Sequence, residues 1–351
     1  MTMLSHDPAK LNHDPATTEL LPQLSLCIPT YNRALLLREA LEAVASQGDA
    51  ALFAVIEIVI SDNASPDGTF EMVQSIAHQY PYLKLHYFRQ PENVGVNQNI
   101  YDVVERATGE FVWILSDDDM LLPGALPKLF SLRQAYPEIN AFCLNMRTFQ
   151  NDPYQEENRP ALPVEHDILL PDRDSALMLF GTWMTFISVV AFRKSALTRS
   201  DYAQRITTWL GYSYQFLDTL SRGSVVVSQP YLAVRDNYRG GYNFFEVFVT
   251  RFQELLSYAR EIGYSPMVTR RVLRQHLRSF LFLFLLSFKR RQTQENPMNY
   301  SDGARRLLRA YPGDPFLLLV MLPLLSLPSN AVRAIYALFQ LFKGRKRQGL
   351  S

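Results

Sequence analysis

The sequence predicts an α/β fold with a doubly wound sheet, followed by a helical C-terminal region. Three observations carry this. Short apolar runs alternate with segments of helical spacing over residues 24–115. Each run ends in polar, chemistry-bearing residues, where such sheets bind ligands. Beyond residue 250 the chain turns to apolar helices with basic flanks.

Residues 24–28 read as an apolar strand that stops at Pro29. Residues 33–47 have helical spacing, with Leu36, Leu37, Ala40, Leu41 and Val44 on one face. Residues 53–60 are near-continuously apolar, as a buried parallel strand requires. A helix over 69–79 precedes a strand at 83–88, and a helix over 96–107 precedes a strand at 111–115. The resulting β-α-β-α-β-α-β alternation calls for right-handed crossovers. Between 120 and 250 the pattern is weaker. Residues 151–174 are polar and Pro-rich, hence loop, while 186–192 and 224–234 read as strands. No repeat of solenoid period is present.

The formal net charge of +1 hides a split: residues 1–250 hold 18 basic and 29 acidic side chains, and residues 251–351 hold 17 and 5. A tail this basic fits an anionic partner, or docks on the acidic body of the chain. Arg270, Arg271, Arg274 and Arg278 fall on one helical side ahead of the apolar run 280–286, which ends in Lys289, Arg290 and Arg291. A second run, 316–327, is broken by Pro323. Both are shorter than the about 20 residues a membrane span needs. A third helix starts at Ser329 or Asn330, carries Val332, Ile335, Leu338, Phe339 and Phe342 as its stripe, and stops at Gly344. Apolar helices with basic ends predict a surface lying in the membrane interface. A helical subdomain packed on the rest is the alternative. Charges set among long apolar runs argue against nucleic acid.

Other classes fall away. With 48% hydrophobic residues the chain buries a core and is not disordered. Cys27 and Cys143 are too few for a disulfide framework, and no Cys/His cluster has zinc spacing. Two cysteines suit a reducing compartment. The polar start lacks a basic stretch followed by an apolar one, so it is no signal peptide. The expected organisation is a mobile leader at 1–22, an α/β domain at 23–250 and a basic helical region at 251–351.

Four stretches carry chemistry. Asp117, Asp118 and Asp119 close the strand at 111–115. Adjacent carboxylates repel unless a cation or donors neutralise them, and their hard oxygens suit Mg²⁺ or Mn²⁺ bridging a diphosphate. An acidic turn capping the next helix is the bland reading. Pro29, Thr30, Tyr31, Asn32 and Arg33 join the first strand to the first helix, where backbone N–H groups hold an anion. Asp62 ends the second strand and can accept from a base or ribose, with Asn63 beside it and turn residues Pro66, Asp67 and Gly68 following. Asn93, Gly95, Asn97 and Asn99 crowd one loop and helix start, as ligand contacts or caps.

Together and in this order, these stretches resemble family 2 glycosyltransferases of the GT-A fold, well over about residues 22–130 and loosely to about 245. The Gly109, Glu110, Phe111 lead into the acidic triplet belongs to the match, and the Ser116 to Asp119 form looks like the abequosyltransferase branch. The resemblance implies that Pro29, Thr30, Tyr31, Arg33, Asp62, Asn63, Asn93, Gly95, Asn99 and Asp117 hold a nucleotide sugar of UDP, CDP or dTDP type. It implies a divalent metal on Asp118 and Asp119, inversion at the anomeric carbon, and Arg235, Asn237 and Arg239 near the diphosphate. Ser116 stands where the family's first metal-motif aspartate falls. Ile100 stands where an arginine is common, with Asn99 as partial replacement. No carboxylate aligns with the family's general base, since Gly211 and Tyr212 fall there. Asp218 nearby is the candidate, with Asp201 upstream. With the tail, this implies a lipid-linked saccharide acceptor in O-antigen or surface polysaccharide assembly, on the cytoplasmic face of the inner membrane. The rivals are a GT-A-like nucleotidyltransferase and a membrane-associated binding protein without turnover.

Overall fold

In the computed structural model the described residues are 21–149, 152–154, 160–197, 210–220, 223–235, 243–291 and 300–334. The expected leader at 1–20, Asp201, Asn237, Arg239 and most of the third tail helix lie outside them. The chain divides into two compact units, Met1–Tyr238 and Arg239–Ser351. The division precedes position 250 because 250 lies inside an unbroken helical stretch from Phe244 to Glu261.

The first unit is built on one sheet. Its strands are β1 (Leu24–Thr30), β2 (Ile56–Asp62), β3 (Lys84–Arg89), β4 (Phe111–Ile114), β5 (Met120–Leu121), β6 (Ala141–Phe149), β7 (Ile168–Leu170), β8 (Val190–Arg193) and β9 (Ser224–Arg235). The order is β3-β2-β1-β4-β8-β6-β9-β5, with β7 also on β9. β1 to β4 are mutually parallel, whereas β8 runs antiparallel to both β4 and β6. The crossovers are α1 (Ala34–Ala45), α2 (Thr69–Gln79) and α3 (Val96–Arg106). Each crossover helix buries one apolar stripe, such as Leu37, Ala40, Leu41 and Val44 of α1. Further helices are α4 (Ala125–Ala135), α5 (Arg173–Phe180) and α6 (Gly211–Thr219).

Four local differences from the sequence expectation have physical causes. β1 runs through Pro29 to Thr30. Pairing with β4 ends at Cys27, so the missing Pro29 N–H removes no ladder bond on that side. β2 starts at Ile56 because Asp49 caps a helical turn, Ala50–Phe53, by accepting from the Ala51 and Leu52 N–H groups. Residues 187–189 form a tight turn before β8 rather than a strand, since Ser188 is bonded to the acidic turn. β7 forms inside the expected loop by pairing with the start of β9.

At the amino end of β2 a buried carboxylate fastens three strands. Glu57 Oε1 accepts from Ser25 Oγ at 2.5 Å, from the Thr108 N–H at 2.6 Å and from the Gly109 N–H at 3.2 Å. Gly109 N–H also donates to Ser25 Oγ at 2.8 Å. This close approach requires glycine: a Cβ at 109 would lie 2.8 Å from the Ser25 nitrogen and 2.9 Å from the Leu24 carbonyl carbon.

The second unit is helical. Its helices are α7 (Phe252–Glu261), α8 (Pro266–Gln275), α9 (Phe282–Arg291), α10 (Tyr300–Ala310) and α11 (Leu322–Ser326). Wider helical turns at His276–Leu281 and Leu317–Met321 carry α8 into α9 and lead into α11. The apolar runs of the tail pack on one another here: Leu277, Leu281 and Leu285 share a core with Leu317, Met321 and Leu325. Among the described residues no helix is long and apolar enough to cross a membrane.

Gly109→Ala is expected to lower stability by about 1–3 kcal/mol through overpacking against backbone. Thermal unfolding checks this; a midpoint equal to wild type would show that the Glu57 junction can give way.

Candidate functional site

All the motif residues that the structure describes in β1, β2, β3 and β4 lie at the carboxyl edge of the sheet, where parallel α/β sheets bind ligands. The acidic triplet follows β4, and its three carboxylates point to different partners. Asp117 turns to β1: its Oδ2 accepts from Thr30 Oγ1 at 2.8 Å, and its Oδ1 meets Arg33 Nη1 at 2.9 Å. Asp118 accepts from Ser116 Oγ at 2.6 Å and faces the same Arg33 nitrogen at 3.2 Å. Asp119 turns the other way, accepting from Ser188 Oγ at 2.6 Å and from the Arg235 N–H at 3.2 Å.

Burial sets the electrostatics. Asp117 is buried, which pushes its carboxyl up to about 6 despite the nearby Arg33. Asp119 is buried too, and desolvation with the neighbouring Asp118 charge holds its carboxyl well above the usual carboxylate range. Arg33 bridges Asp117 and Asp118 with its side chain 43% exposed. Among the described residues no three acidic, His or Cys groups converge as a metal cage. A hard divalent ion bridging a diphosphate needs only one or two protein carboxylates. Asp118, the least enclosed of the three, fits that requirement with Asp119 beside it; hydrogen bonds already meet both oxygens of each.

The other motif residues assemble beside the triplet. Asn32 has a left-handed backbone (φ 54°), and its N–H donates to Ser65 Oγ at 2.8 Å. Tyr31 is 43% exposed at this loop. Asp62 is buried, accepting from the Ser65 N–H at 2.9 Å and from the Tyr87 hydroxyl. Asn63 donates to Asn93 Oδ1 at 2.9 Å and accepts from the Val94 N–H at 2.9 Å, so it ties the loop after β2 to the one after β3. Gly95, with φ 85°, opens α3. Asn99 is buried and bonds Ser61 at both backbone and side chain, at 2.9 and 2.7 Å. Asn99 thus clamps α3 to β2.

Arg235, at the end of β9, reaches the triplet through backbone: its Nε lies 3.4 Å from the Asp118 carbonyl oxygen. Its guanidinium pairs with Glu39 of α1 at 2.5 Å and stacks over Phe149. Asp218 lies half-buried in the last turn of α6, which packs on α3 and β8.

Three partners, Ser188, Glu39 and Tyr87, were not read from the sequence, and Asp67 was read only as a turn residue. Ser188 holds Asp119 and also accepts from the Ser116 N–H at 2.9 Å. Asp67 ties two helix starts by accepting from the Ala34 N–H at 3.0 Å and the Thr69 N–H at 3.2 Å. Glu39 and Tyr87 hold Arg235 and Asp62. Asp67 and Thr69 were visible as turn chemistry; Ser188 carries no local signal inside an apolar run.

Known proteins resemble this chain in sequence or in fold. The model of the family described as Glycosyl transferase family 2 matches residues 25–198. The GalNAc(5)-diNAcBac-PP-undecaprenol beta-1,3-glucosyltransferase of Campylobacter jejuni is 35% identical over 196 residues, 54% of this chain and 59% of that protein. Abequosyltransferase RfbV of Salmonella typhimurium is 41% identical over 103 residues, 29% of this chain and 30% of that protein. The match thus spans less than two thirds of these relatives. Among solved structures, S. aureus TarS 1-349 in complex with UDP has a TM-score of 0.58 at 17% identity, covering 83% of this chain and 81% of that one. Mannosyltransferase PcManGT from Pyrobaculum calidifontis, in complex with GDP-Man and Mn²⁺, has a TM-score of 0.50 at 19% identity, covering 94% and 83%. These likenesses give the fold: a GT-A-like α/β glycosyltransferase fold.

Asp117 and Asp119 keep their protons to higher pH when folded than when unfolded. Their contribution to stability is full below the unfolded aspartate value of about 4 and is lost as pH rises through the folded values. Without added metal, the unfolding midpoint is expected to fall between about pH 5 and 8, and Asp119→Asn to flatten that fall. A pH profile of thermal unfolding identical in wild type and variant would overturn the burial argument.

Proposed function

We propose, from residues 25–198 being a glycosyl transferase family 2 domain, that this protein moves a sugar from a nucleotide-sugar donor to a hydroxyl of a lipid-linked saccharide in surface polysaccharide assembly. The observation that carries this reading is the gathering of Thr30, Arg33, Asp62, Asn63 and Asn93 with the acidic turn on one sheet edge. Two relatives named for sugar transfer and neighbours holding UDP or GDP-Man support it.

The loops after β1, β2 and β3 bind the nucleoside, with exposed Tyr31 beside the site and buried Asp62 fixing the loop that carries Asn63. Arg33 neutralises diphosphate oxygens. Asp118 would hold a divalent metal, Mg²⁺ or Mn²⁺, and that ion would supply Lewis-acid charge to the leaving diphosphate. Asp119, expected beside Asp118 at the metal, also holds the turn through Ser188 and the Arg235 N–H. The acceptor oxygen bonds to the anomeric carbon from the face opposite the diphosphate, the bond to the diphosphate breaks, and configuration inverts. The hydroxyl proton must pass to a base, for which Asp218 of α6 is the candidate the sequence offers.

Incubation with UDP-, CDP- and dTDP-sugars, Mn²⁺ and a lipid-linked acceptor extract tests this. Nucleoside diphosphate release with a mass gain on the acceptor is expected. Asp118→Asn is expected to lower the rate by at least about a hundredfold. Pyrophosphate release would indicate nucleotidyl transfer instead, and nucleotide binding without turnover a binding protein.

We propose that the second unit rests on the cytoplasmic face of the membrane. α8 exposes Arg270, Arg271 and Arg274 together with Met267, 74% exposed, and Leu319 is 76% exposed. Basic side chains beside exposed apolar ones suit an anionic interface, each charge adding about 1 kcal/mol. Reversing Arg270, Arg271 and Arg274 to Glu is expected to cut co-sedimentation with vesicles of phosphatidylglycerol at least about tenfold; equal binding would refute this surface.

A further inference from the structure

The motif residues account for the β1 to β4 part of the edge, but the same edge continues. β8 pairs antiparallel with β4, with Ala191 opposite Trp113 and Arg193 opposite Phe111. The start of β8 at Val190 therefore lies beside the carboxyl end of β4. The turns Gly181–Thr185 and Ile187–Val189 that precede β8 rise on the edge that carries the acidic triplet. In the order β3-β2-β1-β4-β8 they stand on the far side of the triplet from the nucleotide loops. Ser188 welds them to it by its bonds to Asp119 and the Ser116 N–H.

This segment presents an aromatic pair. Trp183 and Phe186 are both half-buried, with ring centroids 5.3 Å apart and planes tilted by 40°. Phe186 lies two positions from Ser188, so the pair borders the acidic turn. α6 is stitched to the same segment: the Tyr212 hydroxyl donates to the Thr185 carbonyl, and Ser213 Oγ donates to the Met184 carbonyl at 3.1 Å. Gln215 follows Tyr212 by three residues and shares its side of the helix. Gln215 is 3% exposed, yet among the described residues its Oε1 has no hydrogen-bond partner. A buried amide oxygen left unpaired costs about 1–3 kcal/mol, and such a cost is commonly kept for a ligand's donor.

We propose that Trp183, Phe186 and Gln215 form the subsite for the acceptor saccharide. The proposal rests on the glycosyltransferase reading and adds the residues that recognise the second substrate. A pyranose has an apolar C–H face and a rim of hydroxyls. The half-buried rings offer a surface for the first, and Gln215 Oε1 accepts from one of the second. The strand order gives the geometry its sense: nucleotide over β1 to β3, leaving group at the triplet after β4, and attacking hydroxyl from the β8 side.

The test is saturation-transfer NMR on the full chain with UDP, Mn²⁺ and the methyl glycosides of glucose, galactose and N-acetylgalactosamine. Transfer to the pyranose ring protons of at least one glycoside is expected in wild type. Trp183→Ala should weaken that binding at least about tenfold, the loss typical of a truncated tryptophan anchor. Trp183→Phe should restore most of it. Gln215→Met removes the unpaired oxygen at similar volume. It should weaken glycoside binding severalfold while leaving thermal stability equal or higher, a combination a purely structural Gln215 would not give. The UDP signal should be unchanged in all three variants. Absence of saturation transfer in wild type to UDP, and to CDP and dTDP used in its place, would sink the nucleotide-sugar reading itself. With UDP bound, glycoside signals absent in wild type, or equal in wild type and Trp183→Ala, would overturn the subsite.

Discussion

Three successive carboxylates at the end of one strand are the constraint around which the first unit is arranged. Side by side in a partly dry edge they repel one another, and the chain resolves this by sending them apart. Asp117 leans on β1 through Thr30 and Arg33, and Asp119 leans on Ser188 and on β9. Both supports exist only because β1 and β8 flank β4 in the sheet. The junction at Glu57 serves the site from the opposite end. It fixes the register of β1, β2 and β4, and so the height at which Thr30, Asp62 and the triplet emerge together.

Much of this was legible in the sequence where the physics is local. A buried parallel strand must be apolar throughout and a crossover helix must carry one stripe, so β1 to β4 and their helices stood out. The motif residues followed, since the residues just beyond such strands face the ligand edge. What could not be read is long-range. Ser188 sits in the apolar run 186–192, whose pattern says strand, and its role depends on β8 turning antiparallel against β4. Glu39 looks like any solvated helix residue until β9 brings Arg235 to it. Asp119 reads from the sequence as a metal ligand because adjacency suggests shared work; the fold adds its bonds to Ser188 and the Arg235 N–H, which no local pattern announces.

The tail teaches a related lesson about hydrophobic runs. Its sequence resembles an interfacial region because apolar stretches sit between basic ones. In the structure much of that apolar surface is spent inside: Leu281 and Leu285 meet Leu317, Met321 and Leu325 in one helical core. The case for a lipid surface therefore narrows to what is left over, the arginines of α8 with Met267, and the exposed Leu318, Leu319 and Val320.

Charge balance at the edge also says how the donor must arrive. Arg33 is the cation that lies against Asp117 and Asp118, and the guanidinium of Arg235 is engaged by Glu39. The triplet therefore keeps an excess of negative charge, which burial relieves in part by holding Asp117 and Asp119 protonated at mildly acid pH. A nucleoside diphosphate brings further negative charge into this edge. On the proposed function, Arg33 could not serve both the carboxylates and the diphosphate at full strength, and admitting the donor would call for another cation beside Asp118. Cation and donor are then linked ligands: by reciprocity each tightens the binding of the other by the same factor. On this reasoning the exposed part of Arg33 would be free to meet the proposed donor, while its bonds to the triplet keep the turn in shape beforehand.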